Sequence, residues 1–360
     1  MKRILIAGYY GFGNAGDELI LRSLLIGLKQ NDSSCETVVL SNRSRITRFQ
    51  HGTKAANRWN PWSVLCQVFR CDTLIFGGGG LLQDSTGSLG LWYYLFILWI
   101  AGLLKKKIIA ACVGVGPIRP EFNTRLAASA LGWVGQITVR DDESLSILKE
   151  LGIKKEILVC PDPVLALPIA PAPARTRGPS EPIHVAVIPR NLIGSGLSKN
   201  GERQFIEYLS EALSRFAEKY PAKILILPFH PGFDEPAVSD LKNSLKAASE
   251  VLLWESLEEL MGRLSGMDFV VSMRYHALVL AALMNIPMAG IAVDPKISHF
   301  LNEISLPSRI VNPRQSDPQM LYKNLRHSWE NREQGLGDFT RKIAEMKSRA
   351  IGIFRDNVLA

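Results

Sequence analysis

A chain of 360 residues exceeds one ordinary hydrophobic core and suits two domains. Its 47% apolar and 21% charged residues exclude a disordered protein, and a net charge of +8 favours anionic partners: phosphorylated substrates, anionic lipid or nucleic acid. No basic run with interleaved aromatics is present, which sets nucleic acid aside, and five scattered cysteines without a C-x-x-C pair support neither a zinc knuckle nor a disulfide framework.

The N-terminus enters a strand within three residues and lacks the form of a signal peptide. With the cysteine usage this predicts a cytoplasmic location. Residues 3–7 read as a strand, Gly8 to Gly16 as a loop and 17–29 as a helix, with a second strand at 37–40. A strand at 73–76 runs into Gly77-Gly78-Gly79-Gly80. Residues 89–104 are sixteen uncharged positions with five aromatics, followed by Lys105-Lys106-Lys107. A spanning helix needs about 20 apolar residues, so this segment is either a buried or half-buried helix or one whose apolar face touches the inner face of the cell membrane. Strands at 108–113, 137–139 and 157–159 alternate with helices at 124–133 and 142–151.

Residues 161–182 hold seven of the twenty prolines and read as a linker. The alternation then restarts, with strands at 183–188, 223–227, 251–254, 269–271 and 288–293 and helices at 202–219, 237–247, 257–263 and 277–284. Short connections between alternating strands and helices predict parallel doubly wound sheets. The fold class is therefore α/β, two Rossmann-like domains facing across a cleft: an N-terminal domain (1–167), a proline-rich linker (168–182), a C-terminal domain (183–330) and an amphipathic helix (331–360) marked by Phe339, Ile343, Met346, Ala350 and Phe354.

Ligands of such sheets bind at strand carboxyl ends, and the chemistry-bearing residues cluster there. Ser272, a good N-cap, precedes Arg274 and His276 in the first turn of a helix, where the macrodipole disfavours cations. Such a pair holds an anion, or else is a packed histidine with an arginine reaching a carboxylate. Arg190, His230 and Lys296 end other strands of the same half, and Arg140 ends one in the first half. In the C-terminal half Arg190, His230, Arg274, His276 and Lys296 together look like an anion site. Gly11-Phe12-Gly13-Asn14-Ala15-Gly16 is formally G-x-G-x-x-G, and Arg43 and Arg45 could hold an NADP 2′-phosphate. Asp17 and Glu18 at the helix start oppose that reading, because carboxylates there satisfy the dipole and the amides themselves. Asp17 is a helix cap or a carboxylate facing a sugar hydroxyl. The glycine run lets a ligand approach backbone amides, and Asp84 orients a hydroxyl or caps the next helix.

These residues resemble the polysaccharide pyruvyl transferase family. The matching stretches are Gly8-Tyr-Tyr-Gly-Phe-Gly-Asn-Ala-Gly-Asp-Glu18, Phe76-Gly-Gly-Gly-Gly-Leu-Leu-Gln-Asp84, Val113-Gly-Val-Gly-Pro117, Val139-Arg-Asp141, Phe229-His-Pro231, Ser272-Met-Arg-Tyr-His-Ala277 and Asp294-Pro-Lys296. Tyr275, where an aliphatic residue is usual, and Val293, where tyrosine is common, depart from the pattern and bear on acceptor choice. The resemblance implies a GT-B-like fold and phosphoenolpyruvate as donor. It implies transfer of pyruvate as a cyclic ketal onto a sugar of a lipid-linked cell-wall glycan precursor, an N-acetylmannosamine in similar members. No cofactor or metal is called for, phosphoenolpyruvate being a co-substrate. On this reading His276 is the general acid/base, and Arg274 is catalytic with Asp17. Arg190, His230, Arg274, Lys296 and Arg140 hold the donor, and Gly13, Asn14, Gly78, Gly79, Gly80 and Asp84 the acceptor. The rival within enzymes is a nucleotide-sugar glycosyltransferase on the same fold.

Overall fold

The computed structural model describes residues 2–84, 87–173, 181–192, 198–315, 317–334, 336–353 and 355–356. It divides into unit 1, Met1–Leu167 with Met346–Ala360, and unit 2, Pro168–Glu345. Residues 174–180 of the proline-rich segment, and Phe354 of the C-terminal helix, lie outside the described residues.

Unit 1 runs β1 (Arg3–Tyr10), α1 (Ala15–Asn31), β2 (Glu36–Ser41), α2 (Ser44–His51), β3 (Lys54–Asn57), α3 (Pro61–Arg70), β4 (Thr73–Leu82), α4 (Ser88–Leu103), β5 (Lys107–Val115), α5 (Glu121–Leu131), β6 (Gln136–Val139), α6 (Asp142–Glu150) and β7 (Ile157–Val159). The strands are parallel, in the order β3-β2-β1-β4-β5-β6-β7. Ile4 to Ala7 are all at most 4% exposed, the continuous apolar run of a strand covered on both faces. The order reverses between β1 and β4, which places the switch point at Gly11 and the glycine run.

Unit 2 runs β8 (Ile183–Ile188), α7 (Lys199–Lys219), β9 (Ala222–Ile226), α8 (Pro231–Ser244), β10 (Ser249–Val251), α9 (Leu257–Ser265), β11 (Phe269–Ser272), α10 (Tyr275–Leu283), β12 (Met288–Ile291), α11 (Pro295–Glu303), β13 (Ile310–Val311) and α12 (Pro318–Glu330), and α13 (Leu336–Ile353) follows. Its parallel sheet has the order β10-β9-β8-β11-β12-β13, so its switch point lies between β8 and β11. Within α13, Phe339, Ile343, Met346 and Ala350 form the buried stripe.

Several boundaries differ from the sequence reading; helix α8, expected over 237–247, runs Pro231–Ser244, and strand β10, expected over 251–254, runs Ser249–Val251. Helix α1 starts at Ala15, because the Asn14 side chain accepts the Gly16 N–H. Helix α10 starts at Tyr275, with Arg274 at the N-cap position, and Ser272 instead bonds Arg274 through both backbone groups at 2.9 Å. The four glycines belong to β4 itself. Residues 42–72, for which the sequence predicts no element, hold α2, β3 and α3. Their signal is weak for a physical reason: β3 is a four-residue edge strand, Lys-Ala-Ala-Asn, and α2 buries only Thr47. Among the described residues, no helix is long and apolar enough to cross a membrane.

Candidate active site

At the switch point of unit 2, Ser272 of β11 lies beside Ile188 of β8, so the chain leaving each strand carries its arginine to adjacent strand ends. Arg190 follows β8, His230 precedes α8 after β9, Arg274 and His276 open α10 after β11, and Asp294 and Lys296 open α11 after β12. Asp234, in the first turn of α8 and fully buried, organises this group. It accepts the His230 N–H at 3.0 Å, the Asn191 N–H at 3.2 Å and the Arg274 Nε at 3.1 Å, and it pairs with Arg274 Nη2. Arg274 is thus gripped along one edge and fixed in orientation. Of the two sequence readings of Arg274, an arginine reaching a carboxylate is what the residues display. That carboxylate also ties three strand ends together.

Arg190 lies 3.7 Å from Asp294, and Lys296 lies 3.0 Å from the same carboxylate. Burial lowers the Arg190 pKa from its ordinary value, and the charge of Arg274 lowers it further. Two guanidinium groups that repel each other in a partly desolvated place favour an anion between them. Burial acts to raise the pKa of Asp294, but Lys296 and then Arg190 outweigh it and hold that carboxyl below the usual carboxylate range. Three cations, Arg190, Arg274 and Lys296, stand against two carboxylates, Asp234 and Asp294, with His230 and His276 alongside. The His230 ring stacks on Phe233 at 5.4 Å, and Tyr275 meets His276 edge-on at 5.1 Å.

In unit 1, Asn14, the actual cap of α1, donates to Asp17 at 2.5 Å. Asp17 is therefore not the cap. It is 9% exposed and lies against Gly79, where a β-carbon would come within 2.7 Å of its Oδ1. Gly13, Asn14, Asp17 and Gly79 are thus brought together. Glu18 accepts the Gly11 N–H at 2.7 Å and pairs with His51 at 2.9 Å, both side chains almost fully buried. The Gly11 amide is met by the protein's own carboxylate, which opposes the dinucleotide reading.

Part of the glycine run answers a packing need. A β-carbon at Gly78 would lie 2.0 Å from Ile20, and one at Gly77 2.8 Å from Leu24. Both side chains belong to α1, so these glycines admit close helix–sheet packing, and Gly78 and Gly79 also adopt positive φ. Gly80 is exposed, with the nearest atom 3.9 Å away, and is the member of the run open to a ligand. Asp84 does not cap α4, whose N-cap is Gly87. It accepts from the Arg119 N–H at 3.1 Å and Asn123 Nδ2 at 3.0 Å, which ties two loops together. Arg140 belongs to unit 1, where it pairs with Asp141 at 3.1 Å and packs over Gly114.

Asp234 and Arg58 were not anticipated from sequence. Asp234 carries a faint signal as the acid four residues after His230, in a helix that Pro231 begins. Arg58 follows an edge strand that alanines obscure. Its buried guanidinium donates to the Gly8 carbonyl at 2.9 Å and lies 4.4–5.4 Å from the rings of Phe12, Trp59, Tyr93 and Tyr94. Phe12 stacks on Tyr9 at 4.0 Å, and Trp59 is 62% exposed beside it.

Residues 14–295 match the family described as polysaccharide pyruvyl transferase. No curated protein is similar enough to carry an argument. Among solved structures, UDP-GlcNAc 2-epimerase from Neisseria meningitidis, bound to UDP-GlcNAc, superposes with a TM-score of 0.58 at 11% identity over 100% of both chains. A glycosyltransferase from Rickettsia africae gives 0.59 at 12% identity over 98% of this chain and 93% of that one. MurG from Acinetobacter baumannii gives 0.51 at 12% identity over 99% and 98%. At such identities the likeness establishes the fold, that of GT-B glycosyltransferases and epimerases. The chain belongs to the polysaccharide pyruvyl transferase family and is a transferase.

Proposed function

We propose that this polysaccharide pyruvyl transferase takes phosphoenolpyruvate as donor and forms a cyclic pyruvate ketal on a sugar of a lipid-linked cell-wall glycan precursor. The observation that carries the donor assignment is the gathering of Arg190, Arg274 and Lys296 at one switch point with a cationic excess. Phosphoenolpyruvate carries a carboxylate and a phosphate on one small frame and needs two cationic subsites, which the two guanidinium groups supply.

In the reaction, one sugar hydroxyl gives up its proton and its oxygen bonds to C2 of the donor, while the methylene carbon takes a proton and becomes methyl. The bond from C2 to the phosphate oxygen then breaks, and phosphate leaves with the electron pair. A second hydroxyl bonds to C2, loses its proton and closes the ring. His276 is assigned to the proton transfers, because it lies in the first turn of α10, two residues after the arginine that Asp234 orients. His230 holds the leaving phosphate. In unit 1, Asp17 orients the acceptor hydroxyl, with Gly80 open to the approach of the sugar, and the exposed face of Trp59 with Phe12 gives the ring a stacking surface.

The test is mass spectrometry of lipid-linked disaccharides ending in N-acetylmannosamine after incubation with phosphoenolpyruvate, with phosphate release followed in parallel. A ketal product with equimolar phosphate is expected. A sugar transferred from UDP-linked donors in matched incubations, with no phosphate from phosphoenolpyruvate, would establish a glycosyltransferase instead.

A further inference from the structure

Helix α4 is apolar all the way round. One face, Leu91, Tyr94, Leu95, Leu98 and Ala101, is buried in the core of unit 1. The other carries Leu89, Trp92, Phe96, Trp99 and Leu103, at steps of three and four residues, and these are 42–79% exposed. Helices α3 and α5 flank it and extend the same surface. Trp62 and Phe69, two turns apart on α3, are 81% and 68% exposed, and Phe122 of α5 is 61% exposed. Trp92 meets Phe122 at 6.3 Å, and Lys106, just beyond α4, donates to the Phe69 carbonyl at 2.7 Å, so α5 and the end of α3 adjoin the α4 face. Monomeric proteins rarely leave so large an apolar patch uncovered.

Charge identifies the occupant. Residues 61–71 and 88–107 contain no carboxylate, and their charged residues are Arg70, Lys105, Lys106 and Lys107, while α5 adds Glu121, which is paired with Arg125 at 2.6 Å. Arg70, Lys105 and Lys107 are exposed at one end of the patch. A second copy would bring the same cations against these. An anionic lipid surface supplies the opposite charge, and tryptophan and phenylalanine favour the boundary between head groups and acyl chains. We propose that the α3–α4–α5 face docks unit 1 on an anionic bilayer, with α4 lying in the plane of the interface. Its sixteen residues and its buried inner face rule out insertion across the membrane. The proposal stands without the reaction, since bilayer binding is read with no substrate present.

The test is flotation of the full chain with vesicles of phosphatidylcholine alone, and of phosphatidylcholine mixed with comparable phosphatidylglycerol. The protein is expected to float with the anionic vesicles, with a blue shift of tryptophan emission, and far less with the neutral ones. Leu89→Ser, Phe96→Ser and Trp99→Ser combined should weaken binding about 100-fold or more while thermal melting holds, because these side chains are exposed. Lys105→Glu with Lys107→Glu, which leaves the apolar face intact, should weaken it about 30-fold or more. The proposal is overturned by wild-type protein that stays in the aqueous phase with anionic vesicles, or by a triple-serine variant that floats like wild type. A dimer dissolved by the serine substitutions, in a chain that ignores vesicles, would also overturn it and assign the face to self-association.

Discussion

Arg190 is a cation whose surroundings disfavour its charge. Burial and the neighbouring Arg274 guanidinium both act against its charge, and the nearest carboxylate oxygen, on Asp294, is 3.7 Å away and shared with Lys296. Arg190→Gln is therefore expected to leave the urea midpoint unchanged or raised while abolishing donor binding by calorimetry; lowered stability with intact binding would make Arg190 structural. For His276→Gln, a loss in turnover of about 10²–10⁴-fold is expected if it transfers protons. Near-wild-type phosphate release would remove it from that role. Asp294 gives a pH prediction. Its folded-state pKa lies below the ordinary 3.8, so between the two values the unfolded chain binds more protons than the native one. Its contribution is present above the ordinary value and lost as pH falls through the depressed one, so in Asp294→Asn the decline of the urea midpoint between about pH 5 and pH 3 should be shallower than in wild type.

At the scale of elements, β4 and α1 show what was legible in the sequence. The alternation of apolar runs and helices gave both doubly wound sheets, since parallel strands buried on both faces announce themselves. The strand ends named Arg190, His230, Arg274 and Lys296, because switch points follow from strand order. What could not be read was pairwise packing. The carboxylate that orients Arg274 lies forty residues away in sequence, and Arg58 follows a strand too short and alanine-rich to register. Nor could sequence tell that Gly78 is glycine because Ile20 of α1 fills the space. This yields a comparison between neighbours. Gly78→Ala forces a β-carbon to 2.0 Å from Ile20 at positive φ and should cost several kcal/mol in urea unfolding, about 3 kcal/mol or more. Gly80→Ala, open and at ordinary φ, should stay within about 1 kcal/mol of wild type while raising the acceptor KM. Equal destabilisation by the two substitutions would deny Gly80 its special place in the run.

Across the whole molecule the two units carry different chemistry, and the charge is distributed accordingly. Unit 2 gathers three cations around two carboxylates at its switch point, whereas the switch point of unit 1 holds Asp17 and Glu18 and flanks them with aromatic rings. The Asp17 carboxylate and the aromatic faces suit the hydroxyls and apolar ring face of a sugar. The assignment of donor to unit 2 and acceptor to unit 1 therefore makes a partition that binding experiments resolve. Arg274→Lys keeps the charge but loses the fork gripped by Asp234, and should weaken phosphoenolpyruvate binding by about 10–100-fold, the value of charge-assisted hydrogen bonds. Asp17→Asn should leave the phosphoenolpyruvate Kd within about twofold, because its carboxylate faces Asn14 and Gly79 in unit 1. Its effect should fall on acceptor KM and turnover. Were Asp17→Asn to tighten or weaken donor binding as strongly as Arg274→Lys, the carboxylate would belong with the donor, and the division of labour between the units would have to be redrawn.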